Sequence, residues 1–225
     1  MNNKKTQITN KAFTLSEVLI ALVIIGIIAA MTISSLLQSI YNSEYKTGYK
    51  KAYSDLSRAV LKSVAFGEFP EREEKYDNET TLEEWALIKK NFGVAKSCES
   101  NNAFDCWVDE ERLCKGCADE TSSGVPREST KVFVDLSGRV WALYTTAENI
   151  FLIDINGDKK PNHFGKDRWI FTFANANGER ICNDDPCTNP GVPAKIQPFY
   201  TKDITSYSST WCQYPPCYYK SWLIN

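Results

Sequence analysis

Histidine is almost missing from this chain: His163 is the only one among 225 residues. That removes most Cys/His zinc patterns and any Ser-His-Asp arrangement. No phosphate-cradling glycine loop, nucleophile elbow or paired acid–base motif is present either. Residues 1–12 contain no acid, Val18 to Gln38 carries no formal charge, and no proline or cysteine precedes residue 69. The net charge of −2 offers no basic surface for a nucleic acid. Internal repeats are also lacking. These gaps argue against an enzyme built on a familiar motif, and they leave residues 1–69 free of proline.

The features present are concentrated at the two ends. Eight cysteines, all beyond residue 97, are a high and even number that fits an oxidising compartment. The uncharged run Val18–Leu37 is long enough to cross about 30 Å of hydrocarbon as a helix rising about 1.5 Å per residue. It exceeds the usual apolar core of a secretory signal, about 7–15 residues, and lacks a small-x-small cleavage site. Lys4, Lys5 and Lys11 precede it, which puts the N-terminus in the cytoplasm and the remainder outside. Glu17 stands at the mouth of this run. A carboxylate within a bilayer costs a few kcal/mol on insertion scales, so it is commonly paired or functional. A cut after Ala12 would create an amine at Phe13, four residues before Glu17. A neighbouring copy's amine could then meet this carboxylate if hydrophobic helices stack with an axial stagger.

The stretch Lys11-Ala12-Phe13-Thr14-Leu15-Ser16-Glu17-Val18-Leu19-Ile20, with the apolar run behind it, resembles the signal of type IV prepilins and type II secretion pseudopilins. The resemblance implies removal of a basic leader by a prepilin peptidase, N-methylation of Phe13 by the same class of enzyme, and a role for Glu17 in assembly. It covers residues 4–37 closely and the general layout of the rest loosely. Two positions depart from the family pattern: Ala12 stands where glycine is the rule, and Ser34 stands where many members have proline. Without that proline the helix has no built-in break there.

Beyond the span, Tyr41, Tyr45, Tyr49, Tyr53, Leu56, Val60 and Val64 recur at helical intervals, with Gly67 as a stop. One helix from about Phe13 to Phe66 is predicted, the tyrosines forming its packing face rather than a ligand ladder. Thr81-Leu82-Glu83-Glu84 resembles a capping box and predicts a short helix ending near Gly93, with Trp85, Ile88 and Phe92 on its buried side. A cysteine-bearing loop to Ser129 comes next. Strands are predicted at Lys131–Leu136 and Arg139–Thr145 around Ser137-Gly138, at Asn149–Ile155 and at Trp169–Ala174. The last fifty residues read as turns. The expected fold is α+β: a long N-terminal helix on a small antiparallel sheet with disulfide-rich loops. Its divisions are a cleaved leader 1–12, a transmembrane half 13–37, an amphipathic half 38–66 and an extracytoplasmic domain 67–225.

Cys98, Cys106, Cys114, Cys117, Cys182, Cys187, Cys212 and Cys217 are read as structural bridges. Eight cysteines allow 105 pairings; the local pairs Cys182–Cys187 and Cys212–Cys217 are the simplest guess, with the other four bridging among themselves. Cys114 and Cys117 have redox spacing without the surrounding context of a thiol enzyme. From Asp154 to Asp167, the residues Asp154, Asn156 and Asp158 alternate as calcium ligands do, and Asp167 could add a carboxylate. The sixth and twelfth positions, Lys159 and Gly165, rule out an EF-hand. This loop also looks like one found in a subset of pilin-like proteins, and some pseudopilins bind Ca2+ in their β-region. The plainer reading is a polar turn. Tail aromatics such as Trp211, Tyr214, Tyr218, Tyr219 and Trp222 are expected to pack beneath the disulfides.

The sequence therefore points to a non-enzymatic subunit, in the minor class given its size, of a type IV pilus or type II secretion pseudopilus. Its partners would be other pilin or pseudopilin subunits, the prepilin peptidase/N-methyltransferase and inner-membrane lipid, with no nucleic acid. The alternative is a single-pass membrane protein whose exterior domain binds a ligand and never polymerises.

Overall fold

The computed structural model describes residues 14–69, 78–98, 106–107, 131–144, 150–181, 191–206, 211–212 and 215–224. It divides into two compact units, Met1–Ser43 and Glu44–Asn225.

Helix α1 runs unbroken over Leu15–Ala65. Neither proline nor an interior glycine-serine break interrupts it, and Gly26 is accommodated with open space around it. It ends in a Schellman turn: Gly67 takes φ +64° and donates to the Val64 carbonyl at 3.0 Å, and Glu68 donates to that of Ser63 at 3.0 Å. In the first unit the apolar side chains face outward all round; Val18, Leu19, Ile20, Leu22, Ile25 and Leu36 are 45–62% exposed.

In the second unit the C-terminal part of α1 buries a stripe. Tyr49, Ala52, Leu56 and Val60 are all inaccessible, with Ala59 and Ser63 beside them. Helix α2, Asn78–Lys90, adds Trp85 and Ile88. It begins three residues before the capping box read at Thr81.

Both helices pack on a six-stranded antiparallel meander in the order β1 to β6: Val94–Cys98, Lys131–Asp135, Val140–Tyr144, Ile150–Asp154, Arg168–Ala174 and Lys195–Pro198. Period-2 alternation assigns the two faces. Phe133, Trp141, Leu143, Phe151, Ile153, Trp169, Phe171 and Phe173 join the helical core. Val132, Val140, Ala142, Ile150, Leu152 and Ile170 face the other way, under Cys98, Cys106, Trp107 and Phe164, with Phe199 and Trp211 packed against them. Both faces of the sheet are therefore covered, which explains why β4 and β5 are buried at every position.

Four strands fall where the sequence put them, within one or two residues. Strands β1 and β6 are additions, in segments read as a cysteine loop and a turn-rich tail. At β1 the chain approaches closely: a Cβ on Gly93 would lie 2.5 Å from Leu136 Cδ1, and the Leu136 amide donates to the Gly93 carbonyl at 2.8 Å. The tail reaches the helical core through α3, Ser221–Ile224. Asp203 Oδ1 accepts the amides of Lys220 and Ser221 at 2.8 and 3.0 Å and so caps its start.

Tyr49 ties helix, sheet and tail together. Its ring stacks on Trp169 at 4.2 Å and on Phe171 at 5.5 Å, and its hydroxyl donates to the Tyr219 carbonyl at 2.8 Å. Burial pushes the Tyr49 phenol far above its ordinary range, so it stays a donor at any working pH. Tyr49→Phe keeps the stacking and strands a buried carbonyl; urea unfolding of the full chain in detergent should show a loss of about 1–3 kcal/mol. Tyr49→Ala also opens a cavity and should cost about 3–5 kcal/mol.

Candidate functional site

Glu17 occupies the first turn of α1, three residues after Thr14. The Thr14 amide donates to Glu17 Oε2 at 2.8 Å and its hydroxyl donates to the same oxygen at 2.7 Å. In return the Glu17 amide donates to Thr14 Oγ1 at 3.3 Å. This is a capping box built from Thr14 and Glu17, in which side chains satisfy amides the helix cannot. The positive end of the helix dipole adds a favourable field for the carboxylate. Deeper in the run, the Thr32 hydroxyl donates to the carbonyls of Ile28 at 3.0 Å and Ala29 at 3.2 Å, so it brings no unpaired polar group into the apolar surface.

The geometry is an acid held at the tip of a helix long and apolar enough to cross a membrane, none of whose apolar span is buried in the chain itself. Over residues 9–33 the sequence matches the family described as the Prokaryotic N-terminal methylation motif. The chain carries a prepilin-type signal. That signal supports a pilin-type or pseudopilin-like precursor with an apolar helix suited to a single-pass inner-membrane anchor. No curated protein and no solved structure matches the chain. Ala12 and Phe13 lie outside the described residues, as do Cys114, Cys117, Cys182, Cys187 and Tyr214. Two bridges are in place among the described residues, Cys98–Cys106 and Cys212–Cys217, and no described cysteine is free.

The β4–β5 loop is organised by two carboxylates. Asp154, at the end of β4, is 1% exposed and accepts from Arg168 Nε at 2.8 Å and from the Asn156 amide at 3.2 Å. Asp167, fully buried, accepts the amides of Asn162 at 2.8 Å and His163 at 2.7 Å. With the Asn162 amide turned so that its nitrogen faces inward, it donates to Asp154 Oδ2 and to the carbonyls of Lys159 and Gly157, at 3.1–3.3 Å. Arg168 lies 4.6 Å from the centre of the Trp107 ring.

Asp158 is exposed, and the Asn156 side-chain nitrogen donates to the Lys160 carbonyl at 3.5 Å. Among the described residues, no three His, Cys, Asp or Glu side chains come together as a metal site would need. A cation here would have to compete with Arg168 for Asp154 and with two backbone amides for Asp167. The two carboxylates are thus engaged by the loop's own donors, whereas the Asn156 side-chain oxygen is buried with no hydrogen-bond partner among the described residues.

Arg168 and Trp107 were not singled out in the sequence. The one available signal was a charge flanking an otherwise apolar strand. Gly165 anchors the loop to the tail: it takes φ +88°, and a Cβ there would stand 2.1 Å from Cys217 Sγ.

Burial pushes the Asp154 carboxyl up to about 7, with Arg168 opposing the shift and Asp167 adding to it. Burial also raises Asp167, against the pull of its two amide donors. An unfolded Asp releases its proton near 3.9. Between about 4 and about 7 the folded state therefore binds more protons than the unfolded state, and stability falls as pH rises through that window before levelling off. Asp154→Asn should flatten this decline. Paired urea titrations of the full chain at pH 4.5, 6 and 7.5 should show wild type gaining stability relative to the variant as the pH is lowered. A constant difference would mean that Asp154 stays ionised throughout.

Proposed function

We propose that this chain is a structural, non-enzymatic subunit, in the minor class, of a type IV pilus or a type II secretion pseudopilus. The supporting observation is the coincidence of the methylation motif at residues 9–33 with Glu17 fixed in the first turn of an outward-facing apolar helix. A prepilin peptidase would remove residues 1–12 and the new Phe13 amine would be methylated. Subunits would wait in the inner membrane with the Glu44–Asn225 unit on the periplasmic side. Their α1 helices would then bundle, with Glu17 of one subunit accepting the Phe13 amine of another. The uncharged helix tolerates transfer from lipid to a lipid-free bundle, because both surroundings are apolar, and Gly26, Ala29 and Ala30 permit close approach.

The disulfides suit an exported domain. Removing the three leader lysines takes the count from 26 bases and 28 acids to 23 and 28, a net charge of −5.

Two measurements test the reading. Intact mass and N-terminal sequencing of protein purified from its native host should give a chain starting at methylated Phe13. A product still bearing Lys4, Lys5 and Lys11 would return the protein to a tethered, non-polymerising domain. Glu17→Ala should insert into the membrane at wild-type levels and be missing from sheared filaments or cross-linked pseudopilus ladders, a loss of at least tenfold. Wild-type incorporation of that variant would remove the proposed pairing.

A further inference from the structure

In the Glu44–Asn225 unit, α2, the turn after it and the outer strands β1 and β2 bound a cavity of about 520 Å³. Ligand pockets commonly span about 300–1,000 Å³ and are mostly apolar with a few placed polar groups. Here the apolar part is Leu82, Trp85 and Ala86 from α2, Phe92 from the turn and Val94 from β1. Phe92 is half-buried and rests on Phe133 and Trp141, with ring centres 5.7 and 4.8 Å away, so the wall it forms is backed by the core. Leu82 is 39% exposed, and Ala86, one turn further along α2, is exposed as well. Apolar surface gathered in an open cavity of this size marks a place where something else binds.

The charged part of the lining is cationic throughout. Lys89 and Lys90 come from the last turn of α2 and Lys131 from the first position of β2, and no acid lines the cavity. Lys89 Nζ donates to the Ser97 hydroxyl at 2.8 Å, which holds that ammonium between α2 and β1. Lys90 pairs with Glu68 at 3.1 Å, but the two side chains are 65% and 38% exposed, so water screens the contact. The dipole at the end of α2 accounts for Lys89 and Lys90. Lys131 lies on a strand, where no such dipole operates, and still lines the same void. Three like charges around one small volume repel one another, and an anion entering between them relieves that repulsion.

We propose that this cavity binds a free organic anion with a compact apolar body, an aryl- or short alkyl-carboxylate. Its body lies on Leu82, Ala86, Phe92 and Val94, and its carboxylate is met by Lys131 from the sheet and Lys89 from the helix. An ammonium is a point charge on a flexible stem, able to follow a carboxylate at a cavity mouth, and the lysine methylenes extend the apolar wall. A small hydrated anion would leave the apolar wall uncovered, and a neutral apolar molecule would leave the ammonium groups unanswered. The cavity therefore selects for both features in one ligand. The inference stands whether or not the chain polymerises.

The test uses the full-length chain, ¹⁵N-labelled, in dodecyl maltoside micelles. Phenylpropanoate is the probe, with phenylpropanol and acetate as controls at matched ionic strength, and the Trp85 indole and Val94 amide resonances are followed. Saturable shifts with phenylpropanoate are expected, with an affinity at least tenfold above that for either control. Uptake by the micelle favours the neutral alcohol, so it would produce the opposite order. Lys131→Glu should weaken binding at least tenfold and Lys131→Arg should retain it. Lys131→Gln stands in should Lys131→Glu lower the melting temperature. Ala86→Phe, at an exposed helix position, should fill the cavity and abolish the shifts while melting as wild type does. Unsaturating shifts, equal affinity for the alcohol, or unchanged affinity in a well-folded Lys131→Glu or Ala86→Phe variant would overturn the site. Shifts of the same resonances on raising protein concentration without ligand would place a second copy in the cavity and overturn the small-anion assignment.

Discussion

Twenty consecutive uncharged residues, Val18–Leu37, lie in one helix, and among the described residues none of its apolar span is buried. Apolar surface left in water costs roughly 25 cal/mol for every Å². A helix of five turns exposed all round cannot persist that way, so an outside medium must cover it. Lipid is one such medium, and the flanking helices of identical subunits are another. The features of the N-terminus suit an apolar surrounding of either kind. The run Val18–Leu37 carries no charge that a bundle would have to neutralise in its interior, the Thr32 hydroxyl folds back on its own carbonyls, and Glu17 stands just before the run. There the capping box with Thr14 gives the carboxylate two hydrogen bonds without any partner molecule. An acid satisfied in this way can wait in the headgroup region and still change partners later, because the bonds it would give up are local and exposed.

The second unit answers a different constraint. A sheet covered on both faces needs two cores, and a chain of this length has enough apolar residues for both only if aromatics do much of the filling. Trp141, Trp169, Phe151, Phe171 and Phe173 crowd the helical side, and Trp107 and Phe164 sit on the other. The disulfides lie where regular structure is thin. Cys98–Cys106 closes over the second core beside Trp107, and Cys212–Cys217 fastens the tail against Gly165 and the first. Such staples lower the entropy of the unfolded chain most usefully in segments with few ladder hydrogen bonds of their own.

This division also explains what could be read from the sequence. Helix α1 was legible because it carries its burial as a period of three to four residues along Tyr45, Tyr49, Leu56 and Val60, and β4 and β5 were legible as short, nearly continuous apolar runs buried at every position. Strands β1 and β6 were not legible. Val94–Cys98 is mostly exposed, with only Cys98 buried, and Lys195–Pro198 buries only Ile196. An edge strand of that kind is specified by its neighbour's free N–H and C=O groups, which leave no mark on its own side chains. The prepilin-type signal was legible for the opposite reason: its function is written in contiguous residues. The Asp154–Asp167 loop lies between these cases. Its Asx spacing was visible, but the residue that decides its chemistry, Arg168, reads in the sequence as an ordinary strand-flanking charge.

The two buried arginines then show how similar parts lead to different behaviour. Arg168 meets one carboxylate at Asp154, and a second acid, Asp167, adds its repulsion nearby. Arg139 meets two carboxylates, each held by further donors: the indole of Trp141 and two backbone amides on Asp135, and Arg58 on Asp55. Removing one member of a buried pair commonly costs about 3–5 kcal/mol, because the survivor is left charged and dry. The Asp154 pair can escape that penalty by taking up a proton, since desolvation has already raised its carboxyl toward neutrality. In the Arg139 network the carboxylates are held by neutral donors as well as charged ones. The first arrangement therefore responds to pH, and the second joins helix α1 to the β2–β3 hairpin through a guanidinium shared by Asp55 and Asp135.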